Sequence, residues 1–304
     1  MVLLFPGMAR AARISIFVFA TISLAFAGQQ SASVNEPQIT ANELVRLAVA
    51  NELKAEPAHP HFMYRDVKRK DDGTIQTKQM IDTSQGIMLG RIIAINGKPL
   101  GPQQRAQEDA RLQRLVDDPS QLTAKSKQQK EDDQRVRTMV GALPDAFIFE
   151  YSGTEQGKTG EIKVLKFRPN PNYNPPTREL QVYGGMDGTM KVAVPQNHIV
   201  LLEANLFRQV NFGWGILGHL NPGGQFIIEQ SAITPEHWDL THMKLNFTGK
   251  ALFFKNINIQ EDEWTTDYQE VPPLSVAEAV QKLKQVDSEI AANGLGRSSG
   301  AAER

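Results

Sequence analysis

The sequence predicts an α+β fold in which a curved antiparallel β-sheet is flanked by terminal helices and interrupted by a charged helical insertion. Between residues 160 and 271, short apolar-alternating segments follow one another, separated by turn signals and without intervening helical patterns. This pattern is typical of an antiparallel sheet, because parallel strands need crossovers of a dozen or more residues. Capped helical patterns stand near residues 40–54 and 274–293, and a charge-rich segment occupies residues 103–138.

Residues 1–27 have the order of a secretory signal peptide. Two arginines precede an apolar stretch from Ile14 to Phe26, which ends in the small-residue cleavage site Ala25-Phe26-Ala27. The stretch is shorter than the roughly 20 residues that a membrane-spanning helix requires. We therefore expect an exported bacterial protein, periplasmic or secreted, with no transmembrane segment after cleavage; an uncleaved N-terminal anchor is the alternative. The polar residues 28–37 are expected to form a flexible leader.

The composition limits the chemistry that this chain can perform. It has 33 basic and 34 acidic residues, a net charge of −1, and therefore lacks the basic excess that a nucleic-acid partner requires. It contains no cysteine, which excludes disulfides, thiolate zinc sites and a cysteine nucleophile. Its 304 residues are instead enough to bury a sizeable apolar core.

The first part of the chain predicts one helix and three strands. Thr40 and Glu43 have the spacing of a capping box, and Leu44, Leu47 and Val49 are expected to cover the sheet. Strands are predicted from residue 61 to the turn at residues 71–73, over residues 74–82 and over residues 86–95, the last followed by the turn dipeptide Asn96-Gly97.

The insertion at residues 103–138 differs from everything around it. It holds eight basic and seven acidic side chains and few apolar ones, and Pro119 divides it into two helical pieces. This mixture predicts helices with a mostly solvated surface that project from the fold. The strands on either side are expected to share one sheet within a single domain over residues 38–273, because a small isolated sheet is marginal in water.

The part beyond the insertion predicts a series of strands and a last helix. Strands are expected over residues 161–167, 180–183, 190–194, 198–206, 210–217, 225–233, 237–248, 251–259 and 264–271, with turns at Asp187-Gly188 and Thr248-Gly249. The final helix, over residues 274–293, begins with the capping pair Ser275 and Glu278. Residues 294–304 are expected to form a disordered tail.

Catalytic motifs are missing from the sequence, which contains no nucleophile elbow, zinc-protease, phosphate-loop or EF-hand pattern. We therefore predict no enzyme activity, no cofactor, no catalytic residue and no metal site. Two histidine arrangements keep a metal-dependent hydrolase open as an alternative, since imidazole ligates zinc and copper. They are the pair His59 and His61, and the set His237, Asp239 and His242.

Aromatic residues are dense between residues 207 and 264. Either they form the core against the terminal helices, or the sheet curves into an open barrel whose concave face binds an apolar ligand. Under the second interpretation, the candidate ligand-binding residues are Phe212, Trp214, Phe226, Trp238 and Phe253.

Three segments carry a resemblance to a known family: residues 188–194, the strand 198–206 and the strand 238–247. With the order of the elements, they resemble the lipoprotein-carrier superfamily of bacterial envelopes, the LolA/LolB-like half-barrels and their outer-membrane lipoprotein-sorting relatives, over about residues 38–271. The resemblance implies an unclosed half-barrel with helices on its concave side. It also implies a non-enzymatic protein that binds a lipid or a lipidated partner. A structural or interaction protein of the envelope that docks through the insertion is the alternative.

Overall fold

The structure is a computed structural model that describes residues 39–54, 60–212, 217–251 and 255–293. Several predictions lie outside these residues: the signal peptide (1–27), the leader (28–37), the tail (294–304), and the candidate residues His59, Trp214 and Phe253.

In the described part of the chain, thirteen strands form one antiparallel sheet that is not closed into a barrel. They are β1 (His61–Arg69), β2 (Ile75–Asp82), β3 (Met88–Ile95), β4 (Lys98–Pro99), β5 (Phe147–Gly157), β6 (Gly160–Pro169), β7 (Met186–Ala193), β8 (His198–Leu206), β9 (Val210–Phe212), β10 (Gly218–Leu220), β11 (Gln225–Ala232), β12 (Trp238–Ala251) and β13 (Lys255–Val271). The main path runs β4-β3-β2-β1-β13-β12-β11-β8-β7-β6-β5, and the β9–β10 hairpin joins β12. The predicted α+β class with an open antiparallel sheet is confirmed.

The strands before and after the charged segment pair directly with each other. β1 lies between β2 and β13, with its register running from His61 opposite Val271 to Arg69 opposite Asp262. The two ends of the sheet are β4 and β5, which are also the strands that flank the charged segment in the sequence.

Four α-helices accompany the described sheet: α1 (Ala41–Glu52), α2 (Pro102–Asp117), α3 (Pro119–Ala146) and α4 (Val276–Asn293), together with a 3-10 helix over Glu179–Gly185. The capping box of α1 is formed, since Thr40 Oγ1 accepts from Glu43 N at 3.2 Å and Glu43 Oε2 accepts from Thr40 N at 2.7 Å. None of these helices combines the length and hydrophobicity that crossing a membrane would need.

The prediction for Leu47 is wrong. Leu44 and Val49 are buried as expected, but the Leu47 side chain is 49% exposed. The buried stripe of α1 is centred on Val45 and Ala48. Leu47 lies about 200° around the helix from Val45, at about 100° per residue, and therefore points away from the sheet.

Both predicted glycine turns in the second half of the sheet are also wrong, because Gly188 lies inside β7 and Gly249 inside β12. A Cβ on Gly188 would stand 1.9 Å from the Glu203 carbonyl oxygen, and one on Gly249 would stand 2.1 Å from that of His219. The glycines therefore permit close approach of neighbouring strands. Residues 180–183 belong to the 3-10 helix, and the two last predicted strands form the single strand β13.

The first half of the charged segment, α2, does not project from the fold as predicted, because its charged residues fix it to the sheet. Arg91 of β3 binds Asp109 of α2 at 2.6 Å, and Arg111 of α2 donates to the Gly90 carbonyl at 2.6 Å. Leu112 of α2 is fully buried in a cluster that includes Leu283 of α4. Charged side chains that the sequence predicted to face solvent therefore attach α2 to the β3 side of the sheet.

Two apolar clusters make up most of the core. The smaller one lies between α2, α4 and strands β1 to β3. The larger one lies between α1, the C-terminal part of α3, the 3-10 helix and the strands from β5 to β12. The larger cluster encloses the cavity described next.

Candidate functional site

An apolar cavity of about 120 Å³ lies between α3 and the face of the sheet that carries the larger core cluster. Its floor is formed by side chains from β8, β11 and β12, among them Leu202, Ala204, Phe226, Ile228 and Leu240. Alternate residues along a strand point to the same face, which places Phe226 and Ile228 of β11 side by side in this floor. An engineered cavity of about 150 Å³ lined by such residues stays dry and binds benzene, so a group of about six carbon atoms is the scale that fits here.

The roof of the cavity is the C-terminal part of α3. Met139 and Leu143 of this helix are buried and line the cavity, whereas no residue from Pro119 to Thr138 is buried. The buried residues of this helix are therefore confined to its last two turns, where they cover the cavity. Most of its contact with the core depends on these few side chains.

Two polar contacts hold this cover in place. The Tyr183 hydroxyl of the 3-10 helix donates to the Met139 carbonyl at 3.0 Å, and burial raises the pKa of Tyr183 far above its usual range. Asn42 of α1 donates to the Pro144 carbonyl at 3.2 Å and accepts from Phe149 N at 3.0 Å. These bonds satisfy backbone groups where α3 ends and β5 begins.

Among the described residues, charged side chains line the cavity only where it meets the end of α1. Glu52, which is buried, lines it there. Glu52 Oε1 accepts from Ile199 N at 3.0 Å and lies 3.3 Å from His198 Nδ1, and Glu52 Oε2 accepts from Gln230 Nε2 at 3.4 Å. His198 is fixed from its other side by stacking on Trp238, with ring centroids 4.6 Å apart. The carboxylate is thus held rigidly at the boundary of an apolar space.

Arg137 of α3 is the second charged group at this end. Its guanidinium is partly exposed, lines the cavity and donates to the carbonyl of Leu53, the residue that caps α1. A guanidinium has five N–H donors, so Arg137 retains donors that this contact does not use. The salt-bridge partner of Glu52 is His198, whose Nδ1 lies 3.3 Å from Glu52 Oε1.

The five predicted ligand-binding residues have different positions. Phe226 lines the cavity. Trp238 stacks on His198, and Phe212 is buried in the larger core cluster. Trp214 and Phe253 lie outside the described residues. Glu52, Arg137 and Gln230 were not anticipated from the sequence, where the one available signal was an acidic residue at the end of the buried stripe of α1.

The histidines considered as metal ligands lie in separate places. His61 Nδ1 is 3.1 Å from Asp82 Oδ2, and His237 stacks on Phe62 with centroids 4.6 Å apart. His242 Nε2 lies 3.0 Å from Asp262, and its ring stacks on Trp264. Across the described ranges, no three residues of the metal-ligating types come together as a site.

Comparisons with known proteins add one structural neighbour. No protein-family model and no curated protein matches this sequence. Among solved structures, the chain is similar to a "putative outer membrane lipoprotein-sorting protein domain" from Vibrio parahaemolyticus, with 10% identity, 80% of this chain and 97% of the other covered, and a TM-score of 0.27. The neighbour is of the class that the sequence resemblance named, and no residue role is transferred from it.

Proposed function

We propose that this protein is an exported, non-enzymatic binding protein for the apolar chain of a lipid or lipidated partner in the bacterial envelope. The observation that carries the proposal is the cavity under α3, whose lining is mostly apolar and carries charged side chains where α1 ends. A concave apolar space with a few convergent polar groups is the usual form of a small-molecule site.

The cover of the cavity supports the same proposal. The roof is held by a few side chains near Met139 and Leu143, and the rest of α3 contributes no buried residue. A ligand larger than about six carbon atoms would need this roof to move outward. Few buried contacts make a segment easier to displace than the surrounding sheet.

Direct binding of a neutral apolar dye tests the proposal. We expect N-phenyl-1-naphthylamine to gain fluorescence on binding the purified protein, and medium-chain alkyl esters to displace it. Native mass spectrometry of protein purified from the periplasm should reveal a co-purified apolar molecule. A protein that binds neither dye nor ester, and carries no ligand, would show that the concave face is a closed core.

A matched pair of variants locates the binding. Ala204→Leu adds three carbon atoms inside the cavity and should reduce dye binding at least about tenfold, since close-packed interiors tolerate little added volume. Asn205→Leu places the same side chain on the opposite, exposed side of β8 and should leave binding unchanged. Equal effects of the two changes would place the dye elsewhere.

A docking role for the charged segment is the second candidate. It is favoured by the N-terminal part of α3, where Lys127 and Glu131 are exposed and no residue is buried. Deleting the whole segment would remove the buried Leu112 from the core, so charge reversal is the better test. Lys127→Glu with Glu131→Lys should weaken partner capture under this reading and leave dye binding intact.

A further inference from the structure

β5 leaves one edge of the sheet open along most of its length. It is an end strand and pairs, among the described strands, only with β6. Its residues from Glu150 to Gln156 are all exposed. The other end strand, β4, has only two residues and leads directly into α2. Proteins usually cover a long exposed edge, because its unpaired backbone groups can otherwise pair with another chain.

Asn42 of α1 already covers the first part of this edge. Its Oδ1 accepts from Phe149 N at 3.0 Å, and its Nδ2 donates to the Phe147 carbonyl at 3.3 Å. One side-chain amide thus makes the two hydrogen bonds that a residue of a neighbouring antiparallel strand would make. The backbone groups of Phe147 and Phe149 therefore face outward, away from β6.

The outward-facing groups further along β5 follow from its pairing with β6. A bulge between Tyr151 and Gly153 shifts the register by one residue, so the outward-facing positions change from odd to even numbers. Thr154 and Gln156 therefore turn their backbone N–H and C=O groups outward. No described strand pairs with them on that side.

The chain that leads into α1 runs along this edge. The Tyr151 hydroxyl donates to the Ile39 carbonyl at 3.0 Å, so the chain from Asn42 back to Ile39 passes from Phe149 toward Tyr151. Followed in sequence order, this part of the chain is antiparallel to β5. The strand extends six residues beyond Tyr151, to Gly157, which is about 20 Å and matches the extended length of the six residues before Ile39.

We infer that residues 33–38 add to β5 as an antiparallel edge strand and close this side of the sheet. The partner of the open edge is then the chain's own N-terminal segment, in the position where a strand of a second molecule could otherwise pair. The inference goes beyond the proposed function and does not depend on it.

Pro37 determines which residues of this segment face β5. It has no backbone N–H, so in an edge strand its nitrogen lies on the solvent side. Its neighbours at even positions then turn their backbone groups toward β5. Counting back from the contact at Ile39 places Glu36 opposite Thr154 and Val34 opposite Gln156.

The absence of cysteine from the sequence permits a direct test by disulfide trapping. In a chain of residues 28–304, Glu36→Cys should cross-link with Thr154→Cys, and Val34→Cys with Gln156→Cys, because opposite residues of antiparallel strands have Cα separations that suit a disulfide. Both pairs should form at least about tenfold faster than either N-terminal cysteine does with Gln209→Cys, which is exposed at the β8–β9 turn. Equal rates for all pairs, as a flexible leader would give, would overturn the inference.

Neighbouring proline substitutions test the backbone pairing. Val34→Pro removes an N–H that faces Gln156, and it should accelerate amide hydrogen exchange of Thr154 and Gln156 at least about tenfold. Asn35→Pro is the matched control: the Asn35 N–H faces solvent in this register, so exchange should change less than about twofold. Thermal unfolding checks that both variants are folded. Equal effects, the reverse order, or unprotected Thr154 and Gln156 amides in the unsubstituted chain would contradict the inference.

Discussion

Arg91 and Asp287 form a buried ion pair, with Nη2 and Oδ2 2.8 Å apart and side chains only 1% and 3% exposed. Asp287 Oδ2 also accepts from Arg105 Nε at 3.0 Å, and Arg91 reaches Asp109 through its other terminal nitrogen. One arginine of β3 therefore connects both α2 and α4 to the sheet. The pair joins parts of the chain that are 196 residues apart.

Breaking this pair should strongly destabilise the protein. Asp287→Asn leaves the Arg91 guanidinium buried without its main counter-charge, which typically costs about 3–5 kcal/mol of unfolding free energy. Urea unfolding followed by circular dichroism measures the change. The exposed pair of Arg46 and Asp145 provides the comparison, and Asp145→Asn should cost less than about 1 kcal/mol. Similar losses in both variants would mean that the Arg91 pair contributes no more than a surface pair.

Stability should depend on Glu108 at acid pH. Burial raises the pKa of Glu108, but hydrogen bonds from Arg111 and the Ile92 backbone N–H outweigh it, and the pKa lies below its usual 4.5. A depressed pKa in the folded state gives stability that is present above pH 4.5 and is lost as the pH falls through the lower, folded-state value. Urea unfolding between pH 6 and pH 3 should show a steeper loss for the natural protein than for Glu108→Gln, and parallel curves would contradict this.

Two leucines of α1 should respond in opposite ways to truncation. Leu44 is fully buried, and Leu44→Ala should cost about 2–5 kcal/mol through lost burial and the cavity left behind. Leu47 is half-exposed, and Leu47→Ala should change the free energy of unfolding by less than about 1 kcal/mol. A large loss at Leu47 would contradict its exposed position on α1.

Shortening a buried side chain in the roof of the cavity should lower the stability of the protein and enlarge the cavity. Leu143→Ala should cost about 2–5 kcal/mol, because Leu143 is buried. The same change enlarges the space under α3 and should increase the affinity for a neutral apolar dye. Leu122→Ala, on the same helix but outside the cavity, should cost less and leave dye binding unchanged. If Leu143→Ala does not affect binding, the dye does not occupy this cavity.

Gly188 should not tolerate a methyl group. Gly188→Ala would place Cβ 1.9 Å from the Glu203 carbonyl oxygen of the paired strand, so β7 and β8 must separate. We expect a loss above about 4 kcal/mol or insoluble protein. Gly153→Ala, in the edge strand β5 with no atom within 4 Å of its Cβ, should fold normally and serve as the control.

Local sequence signals predicted the elements of this fold well where short-range chemistry decides them. The capping box at Thr40 and Glu43 and the Asn96-Gly97 turn depend on neighbouring residues and could be identified directly. Gly188 could not be interpreted correctly, because its role depends on Glu203 in another strand. Leu47 was predicted to cover the sheet because the apolar residues of α1 fit two overlapping stripes along the helix, and only one of these stripes is buried.

The candidate site was harder to predict than the fold. Phe226 could be proposed from aromatic density, but Glu52, Arg137 and Gln230 come from α1, α3 and β11 and meet only in three dimensions. Arg137 also belongs to a segment whose charges indicated solvent exposure. A charge-rich composition fits a helix whose surface faces solvent, and it equally fits a helix that packs on the sheet through its charged side chains.

The edge strands of the open sheet have a mechanical consequence for how far it can open. β4 leads directly into α2, and α3 runs directly into β5, so the two helices connect one margin of the sheet to the other. At 28 residues, α3 is a single continuous helix about 42 Å long. Because α2 is anchored at Arg91, an outward shift of α3 has to be taken up at Asp118 or transmitted to β5. Together, α2 and α3 therefore limit how far the two edges of the sheet can move apart.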